Sequence, residues 1–516
     1  MSASEPSPHH SDAAVIDVGS NSVRLVLYRL DGRAIWTVYN EKVLAGLGRD
    51  LAATGRLSPG GIEIAVVALR RFKALIDAAR PAQVFVAATA AVRDAVDGPA
   101  FVERVRDEAG IALQVISGAD EARYAALGVL AGAPHAAGLV GDLGGASLEL
   151  TPVDDGEIGR GVTLPLGPFS FPGSDRLDAD RVETAVRRQM QSLAPRFHTH
   201  TLNAVGGAWR NLALLHMRMA DYPLEIVHQY EISRADALDA ARFVRHQSRG
   251  SLERIEGISR RRVDALPHAA VVLEGLIEHL GLQRVVMSAY GLREGLLLDA
   301  MSETVRRRDP LVEGCAALGA RYAVAESLGA ALQAWVGPAF ATLEPLFGDR
   351  DSTLLAAAAR LAELGAQLHP DHRAQLIFDQ VLRAPISGMS HPERAFLACA
   401  AFSRHTAGAA PPEPTTTAKL LTPERLVRAR ALGATLRLGC DISGRSPELL
   451  ARTTIEFKPN TVVLRADAGW SETLLGEQTA KRAATLAGLL GRGVKLRGRR
   501  NRASDPENEG DLAETF

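Results

Sequence analysis

The sequence predicts an α/β protein of two related halves, followed by a helical extension and a small basic C-terminal module. Three observations carry this expectation. Short apolar runs alternate with helical periodicity up to about Met301, a strand–turn–strand motif occurs twice at matched spacing, and the chain then becomes Ala- and Leu-rich.

The elements follow from local pattern. Ala14–Val18, Val23–Leu30 and Ala34–Tyr39 read as strands, the last two joined by Asp31-Gly32, whose residues tolerate a hairpin turn. Ser58-Pro59-Gly60-Gly61 opens a helix over Ile62–Ala79, and Val84–Ala88 is a buried strand. Asp97 and Pro99 read as the cap and first turn of the next helix. Leu113–Ile116 is a further strand and Ala119–Leu130 a further helix. Residues 305–405 are helical by periodicity, with Ala316–Leu332 as one buried helix. The Pro/Thr-rich stretch 407–417 reads as a linker. A helix over Pro423–Arg437 then precedes strands near Arg452–Phe457 and Thr461–Ala466, and Gly498–Phe516 reads as a polar, frayed end.

At 516 residues the chain exceeds one ordinary domain. The expected divisions are 13–135, 136–303, 304–410 and 418–502. A hydrophobic fraction of 47% with 23% charged residues excludes a disordered or fibrous chain. Cys315, Cys399 and Cys440 are odd in number and far apart, so neither a disulfide framework nor a C-x-x-C metal pair is expected. The N-terminus, with Glu5, His9, His10 and Asp12, lacks the order of a signal peptide, and no apolar run reaches the ~20 residues of a membrane span. A cytoplasmic location without integral membrane association is expected.

The formal charge of −1 argues against a nucleic-acid partner, yet it hides a segregation. Residues 425–502 hold 16 Lys and Arg against 6 Asp and Glu, so they carry +10 and the remainder −11. A charged polymer would be held by such a segment in a salt-dependent way, which makes Arg497, Arg499 and Arg500 candidate channel residues for a polyanion.

The repeat places the chemistry. Asp17-Val-Gly-Ser-Asn-Ser-Val-Arg-Leu25 overlays Asp142-Leu-Gly-Gly-Ala-Ser-Leu-Glu-Leu150, with Asp, Gly, Ser and Leu at the same positions. A Gly turn after a strand lets an anion approach successive N–H groups, and Ser or Asn adds donors. The strand-end Asp can hold Mg²⁺ directly or through water. Ile116-Ser-Gly-Ala-Asp-Glu-Ala-Arg123 opens a helix with acids in its first turn. Gly206-Gly207 and Tyr290-Gly-Leu-Arg-Glu-Gly295 follow apolar strands, where open α/β sheets bind ligands.

Taken in order, Ala14–Leu25, Ala87–Arg93, Ile116–Arg123, Val140–Leu150, Ala204–Gly207 and Ala289–Gly295 resemble the exopolyphosphatase / guanosine pentaphosphate phosphatase family of the actin-like, sugar-kinase and Hsp70 ATPase superfamily. The resemblance implies two ribonuclease-H-like (actin-like) domains with the active site in the cleft between them, a mainly helical HD-like domain and a C-terminal α+β module. It implies hydrolytic release of terminal orthophosphate from inorganic polyphosphate. Alternatives are a guanosine pentaphosphate 5′-phosphohydrolase acting on pppGpp to give ppGpp, a kinase or ATPase of the superfamily, and a polyanion-binding regulator.

By position, the resemblance makes Glu121 the general base and Asp142, Glu149 and Asp17 the Mg²⁺ ligands. Ser20, Asn21, Ser22, Arg93, Gly144, Gly145, Ser147, Gly206 and Gly207 would bind phosphate. A homodimer is also implied. Ala146, Leu148 and Ala208 depart from the family's Gly, Thr and Thr, which puts rate or substrate preference in question. Leu361-Ala-Glu-Leu-Gly365 lacks the His-Asp dyad of an HD metal site, and His369 with His372 does not replace it.

Overall fold

The computed structural model describes residues 10–171, 178–255, 260–320, 327–407 and 410–498. Two compact units divide the chain at Pro310–Leu311.

The first unit contains two mixed sheets of the same plan. In one, β1 (His10–Val18), β2 (Val23–Asp31) and β3 (Ala34–Val43) form an antiparallel meander, while β4 (Gln83–Ala88) and β5 (Gln114–Val115) add in parallel beside β1, giving the order β3-β2-β1-β4-β5. In the other, β6 (Gly138–Leu143) pairs antiparallel with β7 (Leu148–Asp154), which carries β8 (Glu157–Ile158) and β9 (Val162–Leu164) on its far side. β10 (Thr201–Val205) and β12 (Arg284–Met287) continue in parallel from β6, and β11 (Glu231–Ser233) closes that edge. The nine-residue repeat is therefore the visible part of a duplicated topology, with β6 standing for β1, β7 for β2 and β10 for β4.

Strand periodicity builds the layers. Along β1, Ala14, Ile16 and Val18 enter a core with Leu69, Phe72 and Val105, while Ala13 and Val15 enter another with Leu127, Leu130 and Leu297. Helices Pro59–Ala79 and Gly98–Ala109 cover the first face; Gly118–Gly132 and Leu292–Ala300 cover the second. The last of these belongs in sequence to the second half but packs on the first. A side chain at Gly295 would place its Cβ 1.9 Å from the Tyr124 carbonyl oxygen, so the two helices touch backbone to backbone.

The second unit holds helices Pro310–Ala320, Leu328–Phe340, Arg350–Arg360, Arg373–Arg383, His391–His405, Pro414–Leu420, Pro423–Ser443 and Glu477–Leu489, among shorter ones. Its sheet comprises the hairpin β13 (Thr453–Lys458) and β14 (Thr461–Ala466), with β15 (Gly493–Gly498) parallel to β14. No helix among the described residues is long and apolar enough to cross a membrane.

Several local expectations change. The described parts of Ala316–Leu332 belong to two helices, ending at Ala320 and beginning at Leu328, rather than to one. Part of the expected linker is the helix Pro414–Leu420, anchored by buried Thr417 and Leu420. Asp97 makes no side-chain cap bond to its own helix; its Oδ1 accepts from the Leu57 N–H at 2.9 Å. Arg497 lies in β15 opposite Arg465, so the basic stretch begins as a sheet strand and not as a tail. Arg499 and Arg500 lie outside the described residues.

Candidate active site

The β1–β2 and β6–β7 turns have the same internal geometry. The Gly19 N–H donates to the Ser22 carbonyl at 3.0 Å, and the Gly144 N–H to the Ser147 carbonyl at 2.9 Å. The turns also meet: a Cβ on Gly145 would stand 3.1 Å from the Ser20 Cβ and 3.3 Å from the Asn21 nitrogen.

Neighbouring segments fix both turns through their carbonyls. Ser20 and Asn21 accept from the N–H groups of Gly48 and Gly46 at 2.8 and 3.1 Å. Gly145 and Ala146 accept from Phe169 and Gly167 at 2.8 and 3.2 Å. Among the described residues, the N–H groups of Ser20, Asn21, Gly145 and Ala146 donate to no backbone carbonyl. Four N–H groups without a backbone acceptor, on two abutting turns from the two halves, have the chemistry that an anion nest requires. Ser20 and Ser147 are buried, and Asn21 is exposed at the rim.

Arg93 and Glu121 approach from the first half. Arg93 ends the short helix Ala90–Asp94 after β4, and its Nη1 donates to Glu121 Oε2 at 2.9 Å and to the Ile116 carbonyl at 3.3 Å. Glu121 lies in the first turn of Gly118–Gly132, whose cap Ser117 accepts from the Asp120 N–H. Burial raises the Glu121 pKa. The Arg93 ion pair and a Thr89 hydrogen bond oppose that rise without overcoming it, and the Asp17 charge adds to it.

The second half supplies Asp142 and Glu149, directly opposed on β6 and β7. Burial, then the charges of Glu121 and Asp17, push Asp142 up to about 7. Burial, Glu121 and Asp142 raise Glu149 well above the usual carboxylate range. Glu149 Oε1 is buried without a hydrogen-bond partner. An orphaned carboxylate oxygen beside mutually destabilised carboxylates fits a hard divalent cation such as Mg²⁺. Among the described residues, however, no group of three or more His, Cys, Asp or Glu side chains forms a ready-made metal cage.

Asp17 is placed differently from the other two expected ligands, since Arg293 Nη1 donates to its Oδ2 at 2.8 Å. Gly206 and Gly207 lie behind the second turn at the head of helix Gly207–Met219. Gly206 needs its positive φ of 117°, and a Cβ there would meet the Leu143 carbonyl oxygen at 2.6 Å. Leu148 is fully buried in the second-half core, so its replacement of a Thr removes a hydroxyl from an apolar surrounding.

Sequence reasoning gave no role to Arg293, Glu294, Tyr28 or Arg24. Tyr28 donates its hydroxyl to Glu294 Oε1 at 2.5 Å, and the Gly291 N–H donates to Glu294 Oε2 at 3.0 Å. Arg24, opposite Asp17 on β2, is lowered to about 10 by burial and by the Arg293 charge. The only sequence signal was the Tyr290–Gly295 segment itself; its partners lie some 270 positions away.

Comparisons with known proteins agree on the family and the fold. The Ppx/GppA phosphatase family matches residues 26–304, and the family description "Exopolyphosphatase, C-terminal" matches residues 311–497. Exopolyphosphatase 2 of Mycobacterium tuberculosis is 28% identical over 313 residues, covering 55% of this chain and 97% of its own length. The crystal structure of the Aquifex aeolicus Ppx/GppA family member is similar with a TM-score of 0.50 at 24% identity, covering 57% of this chain and all of its own. An exopolyphosphatase structure from Cytophaga hutchinsonii gives 0.51 at 23% identity, over 55% of this chain and 96% of its own. These two similarities establish the actin-like fold.

Proposed function

This chain belongs to the Ppx/GppA phosphatase family, and on that premise we propose that it removes terminal orthophosphate from inorganic polyphosphate. The observation that carries the reading is the pair of abutting turns with four unengaged N–H groups, flanked by Arg93, Glu121 and Asp142. The similarity to Exopolyphosphatase 2 and the match of residues 311–497 support polyphosphate as substrate.

The residues divide the work by charge. The N–H groups of Ser20, Asn21, Gly145 and Ala146, with the hydroxyls of Ser22 and Ser147, hold the oxygens of the terminal phosphate. The Arg93 guanidinium offsets their charge. Glu121, with its raised pKa, orients a water and takes its proton at a carboxylate oxygen as the water oxygen bonds to phosphorus. The bond from phosphorus to the bridging oxygen breaks, and that oxygen leaves on the shortened chain. Asp142 and Glu149 would hold Mg²⁺, which when bound supplies positive charge against the phosphate oxygens. Asp17, neutralised by Arg293, keeps the first turn in place.

A guanosine pentaphosphate 5′-phosphohydrolase breaks the same kind of bond and is the second reading within the family. The deciding experiment compares phosphate release from long polyphosphate, tripolyphosphate and guanosine pentaphosphate in Mg²⁺. Polyphosphate is expected to give the highest kcat/KM; a clear preference for the nucleotide would replace this reading with the second. A cytoplasmic homodimer is part of the same proposal, checked by sedimentation of the full chain.

A further inference from the structure

We propose that the C-terminal unit holds a second, non-catalytic site for a phosphate group, built on Arg404 and Arg437 and walled by Arg445 and Arg482. It begins from a buried charge that no carboxylate among the described residues pairs with. Arg404, in the last turn of helix His391–His405, is 5% exposed, and its buried Nε has no hydrogen-bond partner. No carboxylate among the described residues forms an ion pair with it, and its side-chain hydrogen-bond partner is the neutral Cys440 thiol. The same helix shows how this fold satisfies a structural guanidinium: Arg394 donates to the carbonyls of Leu382, Ala384 and Ile386. Arginine cannot shed its proton, so a buried guanidinium without such acceptors calls for an anion.

A second guanidinium shares the place. Helix Pro423–Ser443 packs against His391–His405 at Gly433, where a Cβ would stand 2.3 Å from the Ala400 carbonyl oxygen and 2.9 Å from the Arg404 backbone nitrogen. Arg437, one turn further on, has a buried Nη1 without a hydrogen-bond partner. Asp441 is the carboxylate of this cluster, 3.9 Å from Arg437 and 2.9 Å from Arg482, while Arg445 is held by Glu363 at 3.2 Å. Arg404, Arg437, Arg445 and Arg482 thus face two carboxylates, an excess of two positive charges before Arg373 is counted. His405 adds none, because burial and the charges of Arg404, Arg373 and Arg437 keep it neutral.

Two surplus guanidinium charges in one cluster match a tetrahedral dianion better than a single carboxylate. Access is available, since Arg437, Arg482 and Arg445 keep 19–32% of their side chains exposed. Glu363 belongs to the segment Leu361–Gly365, where the family resemblance would put a His-Asp metal dyad. Here Glu363 is paired with an arginine and its surroundings are positive, the reverse of a cation site. Orthophosphate, free or as the end of a chain, is the shared ligand chemistry. That choice rests on the proposed activity, whereas the site rests on the arginines.

The test uses the full chain without Mg²⁺, titrated calorimetrically with orthophosphate and, separately, tripolyphosphate, for the parent, Arg404→Met and Arg437→Gln. The parent is expected to show a binding event besides that of the active site, weakened about tenfold or more in either variant. Hydrolysis of tripolyphosphate in Mg²⁺ should be unchanged. Loss of the orthophosphate event assigns the free ion; loss of the tripolyphosphate event alone assigns the chain end. Thermal unfolding separates a binding role from a structural one. In phosphate-free buffer Arg404→Met should melt at or above the parent, because an unanswered buried charge has gone. Added phosphate should raise the parent above the variant. Identical titrations in all three proteins, or an Arg404→Met Tm below the parent with and without phosphate, would overturn the site. Arginine-dependent binding without hydrolysis of any substrate would defeat the proposed function and leave this site standing.

Discussion

Asp142 and Glu149 stand directly opposite each other on β6 and β7, and the same register 125 positions earlier sets Asp17 opposite Arg24 on β1 and β2. Two copies of one strand–turn–strand unit thus carry opposite charges at the same cross-strand position. In the proposed mechanism the acidic residue gives the second copy the carboxylate pair that would hold a cation, and the basic one denies the first copy such a pair. Exchanging the charge tests this asymmetry. Glu149→Lys is expected to abolish Mg²⁺-stimulated phosphate release while leaving the β6–β7 pairing intact, checked by turnover against Mg²⁺ concentration and by circular dichroism.

Glu121→Gln keeps the shape and the Arg93 contact but removes the proton acceptor. Its kcat should fall by roughly 10²–10⁴ with KM little changed, as for loss of a general base. Phosphate-release kinetics give the answer, and turnover near that of the parent would remove Glu121 from the mechanism.

Arg293 joins Asp17 across the unit, and removing one partner of a buried pair leaves the other uncompensated. Both side chains keep some exposure, 16% and 21%, so Arg293→Met should cost about 1–3 kcal/mol of stability in denaturant unfolding. The double variant Asp17→Asn with Arg293→Met should recover part of that loss, since it leaves no unpaired charge. Additive losses would show that the two act separately.

Gly145 allows the two turns to touch. Gly145→Val should force them apart and raise KM for tripolyphosphate about tenfold or more, because the N–H groups of Ser20 and Asn21 would lose register with those of the second turn. An unchanged KM would mean that phosphate is held by one turn alone.

His405 predicts a pH dependence in the C-terminal unit. Its pKa is pushed down to about 3 from an ordinary 6.5, mainly by burial and by Arg404, while its Nε2 lies 3.0 Å from the Leu364 carbonyl oxygen. The unfolded chain therefore binds a proton that the folded chain refuses between those values. Stability should be complete above pH 6.5 and fall steadily toward pH 3. His405→Gln should flatten the slope of Tm against pH over that window; a slope unchanged by the substitution would exclude this histidine.

Much of this molecule is legible in its sequence because it is local. The unbroken apolar run Ala13–Ile16 announces a strand covered on both faces, and the spacing of Asp, Gly and Ser announces both strand–turn–strand units. What was missed is non-local. Arg293 and Glu294 find Asp17 and Tyr28 only after the chain has crossed the whole second half, and no periodicity encodes that meeting. The strand β15 has no apolar alternation to announce it, because it is short and charged, with most of its side chains exposed or half-exposed. Its pairing with β14 depends on a helical crossover and not on composition.

The helix Leu292–Ala300 carries a consequence for biosynthesis. Leu297 and Leu298 fill the core beneath Val15 and Val26, and Glu294 receives the Tyr28 hydroxyl. That face of the first sheet is therefore covered only in part, by Gly118–Gly132, until Leu292–Ala300 has left the ribosome. In the interval that face is the part of the nascent chain most exposed to aggregation or to chaperone capture, and the N-terminal half reaches its final form late.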